Sequence, residues 1–161
     1  MKRITFIRHA KSSWKYDVSD KLRPLKKRGI ADATLISGLE KVSGIKPEFV
    51  FCSTANRTRE TCNIFLKNLK FSSEKVSFED ELYDFGGNNV INFIKSISDD
   101  YENVIIFGHN YALTSIVNLY GDIHVDNIPT SGLVSITFNI SSWSEFKPGK
   151  TDLVLFPKHF R

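Results

Sequence analysis

Short apolar runs alternate along this chain with longer segments whose apolar residues recur at helical spacing. The clearest run lies at residues 103–107 and is typical of a strand buried on both faces of a parallel sheet. Strands that alternate with helices form βαβ units, in which the strands lie parallel. The pattern therefore predicts an α/β fold of three layers, in which a mainly parallel central sheet of about six strands carries helices on both faces.

The same pattern locates the individual elements. We expect strands at about 3–8, 48–53, 76–79, 103–107, 133–140 and 152–156, with the last two forming an antiparallel hairpin at the sheet edge. Helices are predicted from about Pro24, at 55–69, at 90–97 and after Asn110, whose side chain can cap the helix that follows. Right-handed crossovers would bring the ends of the first, second and fourth strands to one rim of the sheet.

Length and composition predict one domain spanning residues 1–161. The hydrophobic fraction of 41% and the charged fraction of 25% are ordinary for a soluble globular protein, and the net charge of +4 would help attract an anionic partner. Few apolar residues precede Arg8 and no stretch approaches the roughly 20 apolar residues of a membrane span, so a cytoplasmic protein is expected. Cys52 and Cys62 have no metal-binding or Cys-x-x-Cys spacing and are predicted to be buried free thiols.

Four cationic or basic side chains are predicted to lie at this rim: Arg8, His9, Arg57 and His109. Ligands of open α/β sheets collect at the carboxyl ends of the strands. A phosphoryl group carries nearly two negative charges, and the planar fork of arginine matches its oxygens. One imidazole can take the phosphoryl group as a nucleophile, while the other, protonated, stabilises the oxygens in transfer. This chemistry needs no metal and no other cofactor.

Each of these residues also has a structural explanation when taken alone. A single histidine at a strand end is more often a hydrogen-bonded structural residue. Arg57 and Arg59 could pair with Glu60 on a solvated helix face, and Arg8 could form a surface salt bridge. The joint placement of the four residues after predicted strands therefore carries the hypothesis.

Several other chemistries have no support in the sequence. The four histidines form no His-x-x-x-His pair, and there is no Gly-x-Ser-x-Gly, P-loop or Gly-x-Gly-x-x-Gly element. Thr58 stands where a cysteine phosphatase loop that began at Cys52 would need its arginine. The chain also lacks the long basic stripe and the aromatic platform motif of nucleic-acid-binding proteins. We therefore expect neither a nucleic acid nor a membrane as partner.

Several short motifs together resemble the histidine phosphatase superfamily, which has the phosphoglycerate mutase-like fold. Within this superfamily the chain is similar to the short SixA-type phosphohistidine phosphatases. The resemblance covers nearly the whole chain, in the family's order. The segments that carry it are Arg8-His9-Ala10, Asp20 to Leu25 with Arg28-Gly29, Cys52 to Arg57 with Thr61, Glu81-Leu82-Tyr83, Gly108-His109-Asn110 and Pro129 to Leu133.

The resemblance implies roles for individual residues. His9 would be the nucleophile that accepts the phosphoryl group, and Arg8, Arg57 and His109 would complete the phosphate pocket. Glu81 is the best positional match to the general acid of larger relatives, with Asp84 second. Side chains expected to contact the substrate, besides those of the phosphate pocket, are Ser53, Thr54, Arg23 and Asn110.

The leaving group suggests the substrate. An alcohol must be protonated as it departs, whereas an imidazole, with a pKa of about 6.5, already leaves well. The segment between Thr54 and His109 is also too short for a lid domain, which favours an open pocket that a protein-borne phosphohistidine could enter. The sequence thus predicts a cofactor-independent phosphatase that favours phosphohistidine on a partner protein. A phosphatase of small phosphate esters and a non-catalytic phosphate-recognition module are the alternatives.

Overall fold

The computed structural model describes the whole chain, Met1–Arg161, and contains one sheet of six strands in the order β3-β2-β4-β1-β5-β6. The strands are β1 (Lys2–Arg8), β2 (Phe49–Ser53), β3 (Val76–Glu79), β4 (Asn103–Gly108), β5 (Leu133–Phe138) and β6 (Lys150–Leu155). The strands β1 to β4 pair in parallel, whereas β5 runs antiparallel to β1 and β6 antiparallel to β5. The predicted mainly parallel sheet and its antiparallel edge hairpin are both confirmed.

Helices cover both faces of this sheet, so the three-layer α/β prediction is also confirmed. The helices are α1 (Lys27–Ser37), α2 (Glu40–Ser43), α3 (Asn56–Leu69), α4 (Asn88–Ser96) and α5 (Ala112–Tyr120). The apolar sides of α1 and α3 pack into one hydrophobic cluster, and those of α4 and α5 pack into a second. None of these helices has the length and apolar character that crossing a membrane requires.

Helix α1 begins three residues later than the predicted start at Pro24. The backbone at Leu25 pairs with Ser12 in an isolated antiparallel bridge, and the carbonyl of Pro24 accepts a hydrogen bond from Ser13 N at 2.8 Å. These backbone groups are therefore committed to an extended segment. The helix can begin only after this segment ends, at Lys27.

Helix α5 is not capped by Asn110 as predicted, because its N-cap residue is Tyr111. The Asn110 side chain instead donates to Asn127 Oδ1 at 2.5 Å and accepts from Thr114 Oγ1 at 2.6 Å. It therefore ties the start of α5 to the loop before β5 instead of capping the helix.

Strand register fixes the two predicted catalytic histidines next to each other. In the parallel pairing of β1 with β4, Arg8 lies opposite Gly108, and each histidine is the next residue along its strand. Strand β2 lies on the other side of β4 and delivers Ser53 to the same edge. The carboxyl ends of three neighbouring strands thus meet at one rim, as expected for right-handed crossovers.

The two cysteines lie beneath this rim in the cluster that α1 and α3 form with the sheet. Cys52 on β2 and Cys62 on α3 are both free and buried, which confirms the prediction. Burial raises the pKa of the Cys52 thiol well above its usual value, so the sulfur stays protonated and packs as a small apolar group.

Candidate active site

The imidazole of His9 is held in one tautomer. Its Nδ1 lies 2.7 Å from the carbonyl oxygen of Ala10, which can only accept a hydrogen bond. Nδ1 therefore carries the ring proton, and Nε2 presents a lone pair. Arg57 Nε lies 3.3 Å from Nε2 and donates to it. The nitrogen of His9 that can act as a nucleophile is consequently Nε2.

His109 is almost completely buried, with 1% of its surface exposed, and is hydrogen-bonded on one side only. Its Nε2 lies 2.7 Å from Ser53 Oγ, which also accepts a hydrogen bond from Ala55 N at 3.3 Å. The Ser53 hydroxyl can donate to Nε2 or accept from it, so this contact fits both tautomers of the His109 ring. The Nδ1 of the same ring is buried and has no hydrogen-bond partner.

The rings of His9 and His109 lie side by side, with their centroids 5.3 Å apart and their planes inclined by 54°. Burial lowers the pKa of His9 to about 3, and the neighbouring Arg57 and Arg8 add to the effect. Burial likewise lowers the pKa of His109 to about 2, with contributions from His9 and Arg57. Both rings are therefore neutral near pH 7, as a nitrogen nucleophile must be.

The Arg57 guanidinium is buried next to the two rings, with 2% of the residue exposed. Its Nη1 donates to the Asp20 carbonyl at 2.7 Å, and its Nη2 donates to the Asp20 carboxylate at 3.0 Å. The backbone of Arg57 is also fixed, because its carbonyl accepts from Thr61 Oγ1, which in turn accepts from Ala10 N. This chain of contacts joins the first turns of α3 to the end of β1.

Arg8 supplies a second guanidinium whose donors are only partly used. Its Nη1 donates to the Ile128 carbonyl at 2.8 Å, whereas its Nε is buried without a partner. The buried hydroxyl of Ser131 is also without a partner, and Ser131 N donates to the carbonyls of Arg8 and His9. Buried polar atoms in proteins are almost always hydrogen-bonded. The unpaired Nε of Arg8, whose charge adds to burial in lowering the pKa of both imidazoles, is a donor suited to an oxyanion.

Asp20, which was predicted only as part of the motif Asp20 to Leu25, organises the cationic side of the site. Its carboxylate accepts from Arg57, from Arg23 Nε at 3.2 Å and from Tyr83 Oη at 2.6 Å. Hydrogen bonds from Tyr83 and Arg57 are the largest causes that lower its pKa to about 2. Asp20 is thus ionised and orients both arginines, while Tyr83 packs edge-on against His109 with centroids 5.3 Å apart.

The other predicted substrate-contacting residues lie around this centre and are engaged with the protein. Arg23 is buried and donates to Asp20 and to Ser12 Oγ. Thr54 donates to Asp80 at 2.6 Å, and the Asn110 side chain holds the loop before β5. Arg59, two residues after Arg57 on α3, lies over the ring of Phe78, with its guanidinium carbon 4.1 Å from the ring centroid.

The two candidate general acids differ in environment. Glu81 lies in the short 3-10 turn Asp80–Leu82 after β3; its side chain is exposed and makes no hydrogen bond or ion pair. The Asp84 carboxylate accepts four backbone N–H groups at the start of α4, from Gly86, Gly87, Asn89 and Val90. Asp84 is therefore committed to the helix, which leaves Glu81 as the candidate with a free carboxyl group.

No group of three or more His, Cys, Asp or Glu side chains is arranged to hold a metal ion. The cationic centre described above instead presents arginine and imidazole groups, which bind anions.

Comparison with known proteins gives sequence relatives and solved structures. An uncharacterized protein of Mycobacterium leprae is 29% identical over 164 residues, which cover 93% of this chain and 98% of the relative. An uncharacterized protein of Mycobacterium tuberculosis strain H37Rv is 27% identical over 160 residues, with the same coverage of both chains. The protein histidine phosphatase SixA, solved in complex with tungstate, superposes with a TM-score of 0.83 at 18% identity over 99% of both chains.

A mycobacterial glucosyl-3-phosphoglycerate phosphatase also superposes, with a TM-score of 0.66 at 11% identity over 95% of this chain and 98% of its own. These structural similarities establish the fold, which is the phosphoglycerate mutase-like fold of the SixA type. The sequence model of the histidine phosphatase superfamily (branch 1) matches residues 4–90, more than half of the chain. The chain that carries this pair of imidazoles therefore belongs to the histidine phosphatase superfamily.

Proposed function

We propose that the protein is a cofactor-independent phosphatase that works through a phospho-His9 intermediate and favours phosphohistidine on a partner protein. Membership in the histidine phosphatase superfamily supports phosphatase activity. The observation that carries the mechanism is the position of His9, whose Nε2 lone pair faces Arg57 at 3.3 Å in a buried site.

In the first step, His9 Nε2 attacks the phosphorus of the bound phosphoryl group. A P–N bond forms to His9 while the P–N bond to the substrate imidazole breaks. The other nitrogen of the substrate ring can carry the proton, so a neutral imidazole departs. Water then attacks the phospho-His9, which releases inorganic phosphate and restores the free imidazole.

Arg8, Arg57 and His109 would stabilise the transferred group. The two guanidiniums supply charge-assisted hydrogen bonds to its oxygens, and the unpaired Arg8 Nε is one such donor. The pKa of His109 is low because burial and neighbouring cations disfavour its protonated form. A bound dianion offsets this repulsion, so phosphate binding is expected to raise the pKa of His109 and to take up a proton.

The environments of the nearby carboxyl groups favour a substrate whose leaving group departs without strong acid catalysis. Asp20 is ionised, Asp84 is bound to backbone N–H groups and Glu81 is exposed. An imidazole has a pKa of about 6.5 and needs little help to depart, whereas an alkoxide depends on a positioned acid. The related fold of SixA, a protein histidine phosphatase, supports the same substrate class.

The experiment is a trap for the intermediate. Brief exposure to ³²P-labelled phosphohistidine peptide followed by rapid denaturing quench should leave an acid-labile label on the wild-type protein. The His9→Ala variant should carry no label and show no turnover, while it retains oxyanion binding through Arg8 and Arg57. His159→Ala, at an exposed histidine, is the matched control and should be labelled like the wild type.

The same preparation separates the alternative functions. A phosphatase of small esters would hydrolyse p-nitrophenyl phosphate faster than the phosphohistidine peptide. A recognition module would bind phosphate and turn over neither compound. The absence of any label under rapid quench would contradict the phospho-His9 mechanism.

A further inference from the structure

A basic and aromatic cleft that the proposed mechanism does not use lies close to the active site. It has a volume of about 530 Å³ and is formed by Trp14, Lys15, Tyr16, Lys26 and Lys27 above Leu25. We propose that this lysine–aromatic cleft binds an acidic segment of the protein that carries the phosphohistidine. This proposal rests on the proposed function and adds a docking surface to it.

The segment that contributes the walls of this cleft carries more net positive charge than the whole chain. Residues 11–28 contain seven lysine and arginine residues against two aspartates, a net charge of +5, whereas the whole chain carries +4. The rest of the chain is therefore nearly neutral. One of the two aspartates, Asp20, is already paired with Arg57 and Arg23. Lys15, Lys26 and Lys27 are exposed and take part in no ion pair.

The helix beside the cleft carries charge of the wrong sign for its own stability. Lys26 is the N-cap residue of α1, Lys27 and Arg28 follow, and the first turn contains no acidic residue. The N-terminus of a helix has a partial positive charge, so cations there are unfavourable and anions are favourable. An acidic segment that docks at this end would relieve the repulsion and interact with both the lysines and the helix.

Backbone hydrogen bonds hold the two segments that form the walls of the cleft against each other. Lys26 N donates to the Lys11 carbonyl at 3.0 Å, and Ser13 N donates to the Pro24 carbonyl at 2.8 Å. Gly29 permits the close approach, because a Cβ at this position would lie 2.2 Å from the Lys11 carbonyl oxygen. The backbone of the cleft is thus preorganised, and binding has to order only the exposed side chains.

The cleft is connected to the phosphate pocket through Arg23. The Arg23 guanidinium lies 3.5 Å from the centroid of the Trp14 ring and also donates to Asp20, which holds Arg57. A chain whose phosphohistidine enters the pocket therefore passes within reach of the cleft. Trp14 and Tyr16 are 77% and 55% exposed, and such aromatic side chains commonly anchor protein partners.

The test compares two peptides that differ only in charge. Each contains a single histidine, phosphorylated with potassium phosphoramidate, and is flanked on both sides by either glutamates or glutamines. We expect the wild type to prefer the glutamate peptide about tenfold in kcat/KM at low ionic strength, mainly through KM. The preference should shrink as salt is raised through about 0.1 M, where charges are screened beyond about 10 Å.

Charge reversal locates the effect. In K26E/K27E the preference for the glutamate peptide over the glutamine peptide should disappear. Turnover of p-nitrophenyl phosphate reports the remaining activity of the variant and is the reference for both peptides. The matched control K41E/K67E changes two exposed lysines outside residues 11–28 and should keep the preference. Tyr16→Ala should raise KM for the glutamate peptide about threefold or more, because it removes an exposed aromatic anchor.

The outcomes separate the docking surface from the proposed function. Equal turnover of both peptides by the wild type would overturn the docking surface while the phosphatase activity stands. Turnover of neither peptide would instead contradict the proposed function. Loss of the preference in K41E/K67E would assign it to overall charge and not to the cleft. A short single-stranded oligonucleotide that inhibits the wild type but not K26E/K27E would assign the cleft to nucleic acid and overturn the proposal.

Discussion

The two buried imidazoles should make the free energy of unfolding strongly dependent on pH between 7 and 5. Their pKa values are about 3 for His9 and about 2 for His109 in the folded protein, against about 6.5 in an unfolded chain. Below pH 6.5 the unfolded chain therefore binds more protons than the folded protein. The free energy of unfolding is therefore unaffected by these two histidines above about pH 6.5. It decreases as the pH falls from 6.5 toward their pKa values in the folded protein.

The magnitude follows from the same values. One histidine that stays neutral in the folded state costs about 2 kcal/mol of stability between pH 7 and 5, and two cost about 4 kcal/mol. This loss is a large part of the 5–15 kcal/mol that typical domains possess. The Asp20 carboxylate, with a pKa of about 2, loses its contribution only below about pH 4, so it does not obscure this range.

Urea denaturation at pH 7 and pH 5 measures this dependence. The wild type should lose about 4 kcal/mol more than a His9→Gln/His109→Gln double variant, whatever the stability of the variant at pH 7. A His124→Gln/His159→Gln variant, at two exposed histidines, should behave like the wild type. Saturating tungstate should flatten the wild-type dependence, because the oxyanion favours the protonated imidazole. Equal pH dependence in the wild type and the first double variant would refute the buried neutral pair.

Three further predictions concern catalysis. Arg57→Lys should lower kcat/KM about 100-fold, because a single ammonium group cannot replace the planar guanidinium that contacts His9 and Asp20. The control variant Arg59→Lys should change kcat/KM less than about threefold. Glu81→Gln should lower turnover of an alkyl phosphate about 100-fold and leave phosphohistidine turnover unchanged; equal effects on both substrates would remove Glu81 as the acid. Asp20→Asn should lower kcat/KM about tenfold through misplacement of Arg57, without moving the pH–rate profile between pH 5 and 8; a shifted profile would make Asp20 a proton donor.

The fold was predictable because its strongest signals are periodic and local. The apolar run of β4 and the helical spacing in α3 follow directly from what a buried strand and an amphipathic helix require. The start of α1 was not predictable, since it depends on a backbone bridge between Ser12 and Leu25 that only the folded chain contains. The Asn110 side chain was likewise drawn away from α5 by Asn127, which lies 17 residues further along the chain.

The centre of the candidate site was predictable from topology, whereas its supporting contacts were not. His9, Arg57 and His109 follow directly from the ends of adjacent strands and from the turn after β2. Asp20 and Tyr83 come from segments without regular periodicity, and their contacts with the arginines and with His109 depend on loop conformation. The motif segments Asp20 to Leu25 and Glu81 to Tyr83 were the one signal in the sequence that could have drawn attention to them.

The pairing of Arg8 with Gly108 has a consequence for which sequence changes this protein can accept. Because His9 and His109 directly follow paired residues of two neighbouring core strands, their separation is set by hydrogen-bond register and not by any mobile segment. Surrounding loops can therefore be exchanged or lengthened, and substrate range altered, while the two rings keep their spacing. A shift of one residue between β1 and β4 would instead separate the rings at once, so their spacing is protected by the same hydrogen bonds that hold the core of the sheet together.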